Sequence, residues 1–221
     1  MDTIRNTKKI NLKQILSQYG TLFGLIAIVI IISIIKPKFL SIDNIMNLLR
    51  QTSINGLLAI GMTFVVLTGG IDLSVGSIVG ASGMFAALVA KSENNLPWYV
   101  AALVGISVGL LLGILNGVII SYLKVPAFIA TLGMLSIARG ITYMASDARP
   151  VPGLSEDFLK IGGGNIGPIP IPVIILVIVL VICYILLYRH RYGRYVFATG
   201  GNALAARVSG IKVKKIVCSV Y

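Results

Sequence analysis

Charge is the scarcest ingredient of this sequence. Charged residues make up 12% of its 221 positions, about half of the roughly 25% usual in water-soluble domains. A soluble globular core is therefore excluded. Histidine occurs once, as His190 between Arg189 and Arg191 at the end of an apolar run, so no metal centre can be assembled on it. Cysteine occurs twice, as Cys183 inside an apolar run and Cys218 near the C-terminus, with neither metal-ligand spacing nor the pattern of a disulfide scaffold. Redox chemistry is excluded on that count. A phosphate-binding loop is missing too, because the triplet Gly162-Gly163-Gly164 is not followed by a lysine and a hydroxyl. The chain implies no cofactor, and nothing in it hydrolyses nucleotide. Paired catalytic groups are lacking within the apolar segments, which argues against an intramembrane enzyme.

What is present is apolar and segmented. Hydrophobic residues form 57% of the chain and concentrate in six runs, 19–35, 54–70, 73–90, 99–123, 125–144 and 169–188. Each is close to the ~20 residues that cross a bilayer. Lipid offers the backbone no hydrogen-bond partners, so the spans are expected to be helices. The fold class is thus an all-α, polytopic helical membrane protein with about six spans. The first run ends at Lys36-Pro37-Lys38 without a small-residue cleavage site and reads as an uncleaved span rather than a signal peptide.

The net charge of +12 would suggest nucleic acid on a soluble fold. Here the basic residues flank the spans, so they set orientation and no nucleic-acid partner is expected. Residues 1–18 carry Arg5, Lys8, Lys9 and Lys13, and residues 189–221 carry seven basic residues and no acid. Both ends are expected in the cytoplasm, which six crossings also require. The segmentation that follows is a cytoplasmic segment 1–18, a transmembrane domain 19–188 with an exterior loop 145–168, and a basic cytoplasmic region 189–221 that ends with the start of a further span. Residues 36–53 should be exterior yet carry Lys36, Lys38 and Arg50, against the charge rule.

Two connections look too short for ordinary loops: Ile71-Asp72 between the second and third runs, and Lys124 between the fourth and fifth. Either they are tight hairpins, or the stretch Thr68-Gly69-Gly70-Ile71-Asp72-Leu73-Ser74 is a break at membrane depth, buried in protein or lining a watery cavity. Gly105, Gly109, Gly113 and Gly117 recur every four residues on one face of the fourth run, where they let a neighbouring helix approach closely; Gly76 and Gly80 extend the theme to the third.

Ionisable residues at membrane depth are costly and are functional candidates by default. Asp72 and Arg139 are the two. Asp72 either caps a helix starting at Leu73 or faces a path; Arg139 either meets carbonyls or an acid on a neighbouring helix or lines that path. Asn116, Thr131 and Ser136 are polar positions within spans that suit a path or interhelical hydrogen bonds. In the cytoplasmic region, Asn202 is a good N-cap, Ala203-Leu204-Ala205-Ala206-Arg207-Val208-Ser209 favours helix, and Gly210 fits the position after its end. A two-turn helix is expected. Isolated helices so short are marginal in water, so it is either a connecting helix or one that docks on a partner.

The stretch from Gly61 through Thr68-Gly69-Gly70-Ile71-Asp72-Leu73-Ser74 to Ser77 resembles the ribose-type permease subunits of bacterial ATP-binding cassette sugar importers. Two further blocks agree, Val125-Pro126-Ala127-Phe128 through Arg139-Gly140, and Gly193-Arg194-Tyr195 through Gly210-Ile211. The resemblance implies a multi-helix importer permease in the bacterial inner membrane. It implies that a second permease copy completes the path for ribose or a similar simple sugar, a cytoplasmic ATPase drives it, and an extracytoplasmic sugar-binding protein delivers the substrate to the exterior loop. On this basis Asn202, Ala203, Leu204, Ala205, Ala206, Arg207, Ser209 and Gly210 form the helix that couples to the ATPase. Asp72, Asn116, Thr131 and Arg139 are the candidates to line the path. A branched-chain amino-acid permease shares the architecture, and an ATPase-independent secondary transporter is a further alternative. Family members continue for several more spans, so the resemblance also implies a chain truncated after Val217-Cys218-Ser219-Val220-Tyr221.

Overall fold

The computed structural model describes residues 12–221, with side chains from residue 19 onward. Arg5, Lys8 and Lys9, expected in the cytoplasm, lie outside the described residues, as does the side chain of Lys13. The chain divides into two units, 1–48 and 49–221.

The first unit holds α1 (Leu12–Ile35), a single 3-10 turn (Pro37–Leu40) and the beginning of α2 (Ile42–Leu67). Pro37 stops α1, since its ring excludes a continuing helix, and opens the turn at its first position. Ser41 caps α2, its Oγ accepting from the Asn44 amide at 3.3 Å, while Asn44 Nδ2 donates to the Phe39 carbonyl at 2.7 Å. The outward side chains of α1 are exposed isoleucines and leucines, as lipid-facing positions require.

The second unit contains the rest of α2, then α3 (Val75–Val89), α4 (Trp98–Ser121), α5 (Ala127–Ser146), α6 (Glu156–Gly163), a two-stranded hairpin (β1, Asn165–Ile166; β2, Ile169–Pro170) and α7 (Ile171–Tyr188). Three shorter helices follow: α8 (Arg191–Gly201), α9 (Ala203–Val208) and α10 (Val213–Val220). Each of the six apolar runs is thus a helix. Among the described residues, α4, α5 and α7 are long and apolar enough to cross a membrane unaided. Helix α3 is not: its 15 residues reach about 22 Å at 1.5 Å per residue, against about 30 Å of hydrocarbon.

Helix α3 is the centre of the unit and packs on both α4 and α5. Ala81, Leu112, Met134 and Ala138 form the buried seam, with Ile78, Val108 and Ile141 against it. Much of the buried apolar set is alanine, because lipid is as apolar as leucine and helices associate in it mainly through close backbone approach. The glycine stripe of α4 serves two neighbours. A Cβ on Gly105 would lie 3.1 Å from the Ser82 carbonyl, and one on Gly109 3.0 Å from Ser82 Oγ, both on α3. A Cβ on Gly113 or Gly117 would collide with the carbonyls of Tyr221 and Cys218, at the end of the chain in and just after α10. Gly76 and Gly80 differ from expectation: a Cβ on either meets nothing within 4 Å, so they hold space open rather than pack.

The connections are longer than the runs implied. The helices stop short of the apolar boundaries, leaving 68–74 between α2 and α3 and 122–126 between α4 and α5, where Lys124 adopts φ +58°. The 145–168 segment is not a structureless loop. It carries α6 and the first strand of the hairpin, pairs through Lys91 and Leu154, and bonds Ser92 N to the Gly153 carbonyl at 2.8 Å. Arg50 of α2 donates to Asn165 Oδ1 of the hairpin at 2.8 Å. On α6, Asp157 lies 2.8 Å from Lys160 and raises its ammonium above the ordinary lysine range.

Gly117→Ala should destabilise the fold by about 1–3 kcal/mol, the usual cost of forcing a well-packed contact apart. Gly61→Ala, where a Cβ meets nothing within 4 Å, should not. Thermal unfolding of the purified protein in detergent measures both.

Candidate functional site

The site is built around residues 68–74, the non-helical stretch that makes α3 short. Helix α2 ends because Gly69 takes φ +79°, a conformation that costs glycine little. Gly69 N donates to the Val66 carbonyl at 2.9 Å and Gly70 N to the Val65 carbonyl at 3.0 Å, the paired bonds of a Schellman ending. The chain then turns through Asp72, whose Oδ1 accepts from Ser74 N at 2.8 Å and from Ser74 Oγ at 2.6 Å. This corrects the expectation for Asp72. The helix begins at Val75, two residues later than read, with Ser74 at the N-cap and Asp72 stapling the turn before it.

Three other elements close over the break. Asn116 of α4 donates from Nδ2 to Ser74 Oγ at 2.9 Å, and its own Oδ1 is buried without a partner among the described residues. Thr131 of α5 donates to its own helix at the Ala127 carbonyl at 2.8 Å and lies 3.4 Å from the Ile71 carbonyl. Tyr221 Oη donates to the same Ile71 carbonyl at 3.5 Å, and a Cβ on Gly70 would collide with it. Ser74, Asn116 and Thr131 are fully buried and Asp72 nearly so. Of the two readings of this stretch, the structure shows a non-helical break and no tight two-residue hairpin; Asp72 and Ser74 turn inward, whereas Gly69, Ile71 and Leu73 are exposed.

The four path candidates therefore separate. Asp72, Asn116 and Thr131 are brought together as braces of the break. Arg139 stands apart, exposed on α5, in a cleft of about 180 Å³ lined by Gly76, Ser77, Gly80, Thr142 and Tyr143. Ser136 is also exposed.

Helices α8 and α10 pack at the end of α2, next to the same break. His190 caps α8, its Nδ1 accepting from Tyr192 N at 3.2 Å. Leu187, Val196 and Ile216 form a buried cluster that includes Phe64 and Leu67 from the end of α2. Two glycines of α8 sit against backbone: a Cβ on Gly193 would collide with the Leu187 carbonyl, and one on Gly200 with the Leu67 carbonyl. Gly200 thus touches the last residue of α2, immediately before the break. Helix α9 is shorter than read, with six residues. Asn202 Oδ1 accepts from Ala205 N at 2.9 Å, Gly210 takes φ +84°, and the bonds from Gly210 N to Arg207 and from Ile211 N to Ala206 complete a second Schellman ending. Ala206 faces inward, whereas Leu204 and Val208 are 71% and 83% exposed. Sequence reasoning missed Val208. The spacing of four from Leu204, which puts both on one face, was the signal that could have found it.

A bundle of apolar helices around a non-helical stretch braced by side chains defines a polytopic helical membrane protein. Comparison with known proteins narrows this. The family described as branched-chain amino acid transport system / permease component matches residues 44–221, and the chain belongs to that family. It is 42% identical to the ribose import permease protein of Haemophilus influenzae, over 97% of this chain and 67% of that protein. It is 40% identical to the ribose import permease protein of Escherichia coli K12, over 93% and 65%. To the D-allose transport system permease protein of E. coli K12 it is 39% identical, over 97% and 66%. The chain spans about two thirds of the length of these curated relatives. No solved structure matches it at a significant level.

Asp72→Ala leaves the buried Ser74 N–H and hydroxyl without their acceptor, at about 1–3 kcal/mol for a buried polar group left unsatisfied. Asp72→Asn keeps an acceptor oxygen and should lose much less. Comparing their midpoints of thermal unfolding in detergent separates the two.

Proposed function

We propose that this chain is the membrane-spanning permease subunit of an ATP-binding cassette importer that carries ribose or a similar simple sugar across the bacterial inner membrane. It works with a cytoplasmic ATPase subunit, an extracytoplasmic sugar-binding protein and a second permease copy. Three of the relatives given above are named for ribose or allose, and others 31–32% identical are named for galactose and methyl galactoside. Those names favour a sugar over a branched-chain amino acid, although the family description mentions the latter.

Helix α9 is the coupling element in this reading. The observation that carries it is a helix capped at both ends whose Leu204 and Val208 protrude into solvent. Six residues do not hold a helix in water unaided, and two exposed apolar side chains on one face fit the groove of a partner. A secondary transporter, needing no ATPase, has no use for such a ridge. Gly200 against Leu67 then gives the ridge a mechanical connection to the end of α2. The exterior segment 145–168 is the proposed docking surface for the binding protein. For the path, Arg139 is the proposed lining residue, with Asp72, Asn116 and Thr131 holding the break beside it.

Co-purification with a nucleotide-binding subunit tests the assignment. Replacing Leu204 and Val208 by alanine should weaken assembly about tenfold or more, since truncating a central apolar anchor costs roughly 1–2 kcal/mol or more. Ala205→Glu with Arg207→Glu should abolish it. Unchanged assembly in these variants would sink the coupling role of α9.

A further inference from the structure

We infer that the cleft between α3 and α5 is a subsite for a neutral monosaccharide, a step on the route that the proposed transport function requires. Arg139 lies twelve residues after the start of α5 and seven before its end, close to the middle of the helix. It has no ion pair or hydrogen bond among the described residues. An isolated charge at that depth costs about 2.5–3.5 kcal/mol unless it meets water or a partner. Its exposure into the cleft is the way this fold avoids that cost.

Ser77 makes the second observation. It is 9% exposed, it lines the cleft, and its hydroxyl has no hydrogen-bond partner among the described residues. Ser77 Oγ keeps solvent contact in the cleft, where a ligand oxygen can take the place of water. Gly76 and Gly80 supply the room. Unlike the α4 glycines, they approach no backbone, and a side chain at either would fill the cavity. Their smallness serves the space and not the packing.

The chemistry of the lining selects the ligand class. Arg139 offers a planar fork of N–H donors suited to adjacent oxygens. The Thr142 hydroxyl donates to the Ala138 carbonyl at 2.8 Å, which leaves its oxygen free to accept. The half-exposed Tyr143 presents a ring against which the C–H face of a sugar can lie. The cleft contains no acidic side chain, so the ammonium of an amino acid would find no counter-charge. Its volume of about 180 Å³ has room for one monosaccharide ring and is below the roughly 300 Å³ at which pockets for drug-sized ligands begin.

The test is cysteine protection in membrane vesicles carrying the full chain. Cys183 and Cys218 are replaced by alanine, Ser77→Cys is introduced, and a trimethylammonium methanethiosulfonate is the label. D-Ribose at several times its dissociation constant should slow labelling about fivefold, as occupancy dictates, while leucine and inorganic phosphate leave it unchanged. Thr142→Cys on the opposite wall gives the same readout if Ser77→Cys fails to insert. Thiols that resist the reagent, label at the same rate with ribose, or are protected only by leucine or phosphate would overturn the subsite. Ribose uptake into cells supplied with the ATPase and binding protein keeps the two proposals apart. Normal uptake without protection removes the subsite alone, whereas protection without uptake supports the subsite and removes the transport reading.

Discussion

A peptide group in hydrocarbon has nowhere to send its hydrogen bond except to its own protein, and the arrangement of this chain follows from how seven residues meet that demand. Between Leu67 and Val75 the helical ladder is interrupted, so the carbonyls at the end of α2 and the amides before α3 must be paired by other means. Backbone bonds from Gly69 and Gly70 take the Val66 and Val65 carbonyls, and Asp72 takes the amide and hydroxyl of Ser74. What the break cannot do for itself is done by α4, α5 and the C-terminal residue, through Asn116, Thr131 and Tyr221. Helices that must deliver polar side chains to one buried point have little freedom in how they cross.

That requirement explains the use of small residues around the break. Asn116 reaches Ser74 because α3 and α4 lie close, and they lie close because Gly105 and Gly109 present no side chain to Ser82. One turn further, the same stripe changes partner, and Gly113 and Gly117 admit the backbone at Tyr221 and Cys218. Tyr221 can then span to Ile71 only because Gly70 is also bare. The four-residue repeat of α4 is one feature with two neighbours, which the period by itself does not disclose.

Periodicity and hydropathy carried the large-scale architecture because lipid imposes a uniform rule: each of the six long apolar runs became a helix. Finer features depended on which residues meet in space. The α3 start at Val75 rather than Leu73 follows from a side-chain bond between Asp72 and Ser74, and local cap preference placed it two residues early. Asp72, Asn116, Thr131 and Arg139 looked alike as polar residues in spans, yet three converge and one does not, because convergence depends on helix rotation about the seam at Ala81 and Ala138. The caps of α9 were legible since an Asn and a Gly at fixed offsets act within a few residues. Its exposed ridge needed the position of Ala206, the one residue of that helix turned inward.

The contact between Gly200 and Leu67 joins these two levels. Leu67 is the last helical residue before the break, and its carbonyl faces a glycine on which any side chain would collide. Backbone against backbone is a stiff contact, since no rotamer on the glycine side can absorb a displacement. Val196 and Ile216 pack beside it with Phe64 and Leu67, so α8, α10 and the last turn of α2 share one cluster. A partner seated on α9 shifts such a group only to the extent that it binds one arrangement better than another. The element best suited to change arrangement is the break, because its bonds are made by side chains and turns rather than by a continuous ladder. In the proposed coupling role, a push on α9 would reach Leu67 through the Gly200 contact and the Arg139 cleft through the first turn of α3, where Gly76 and Ser77 form its wall.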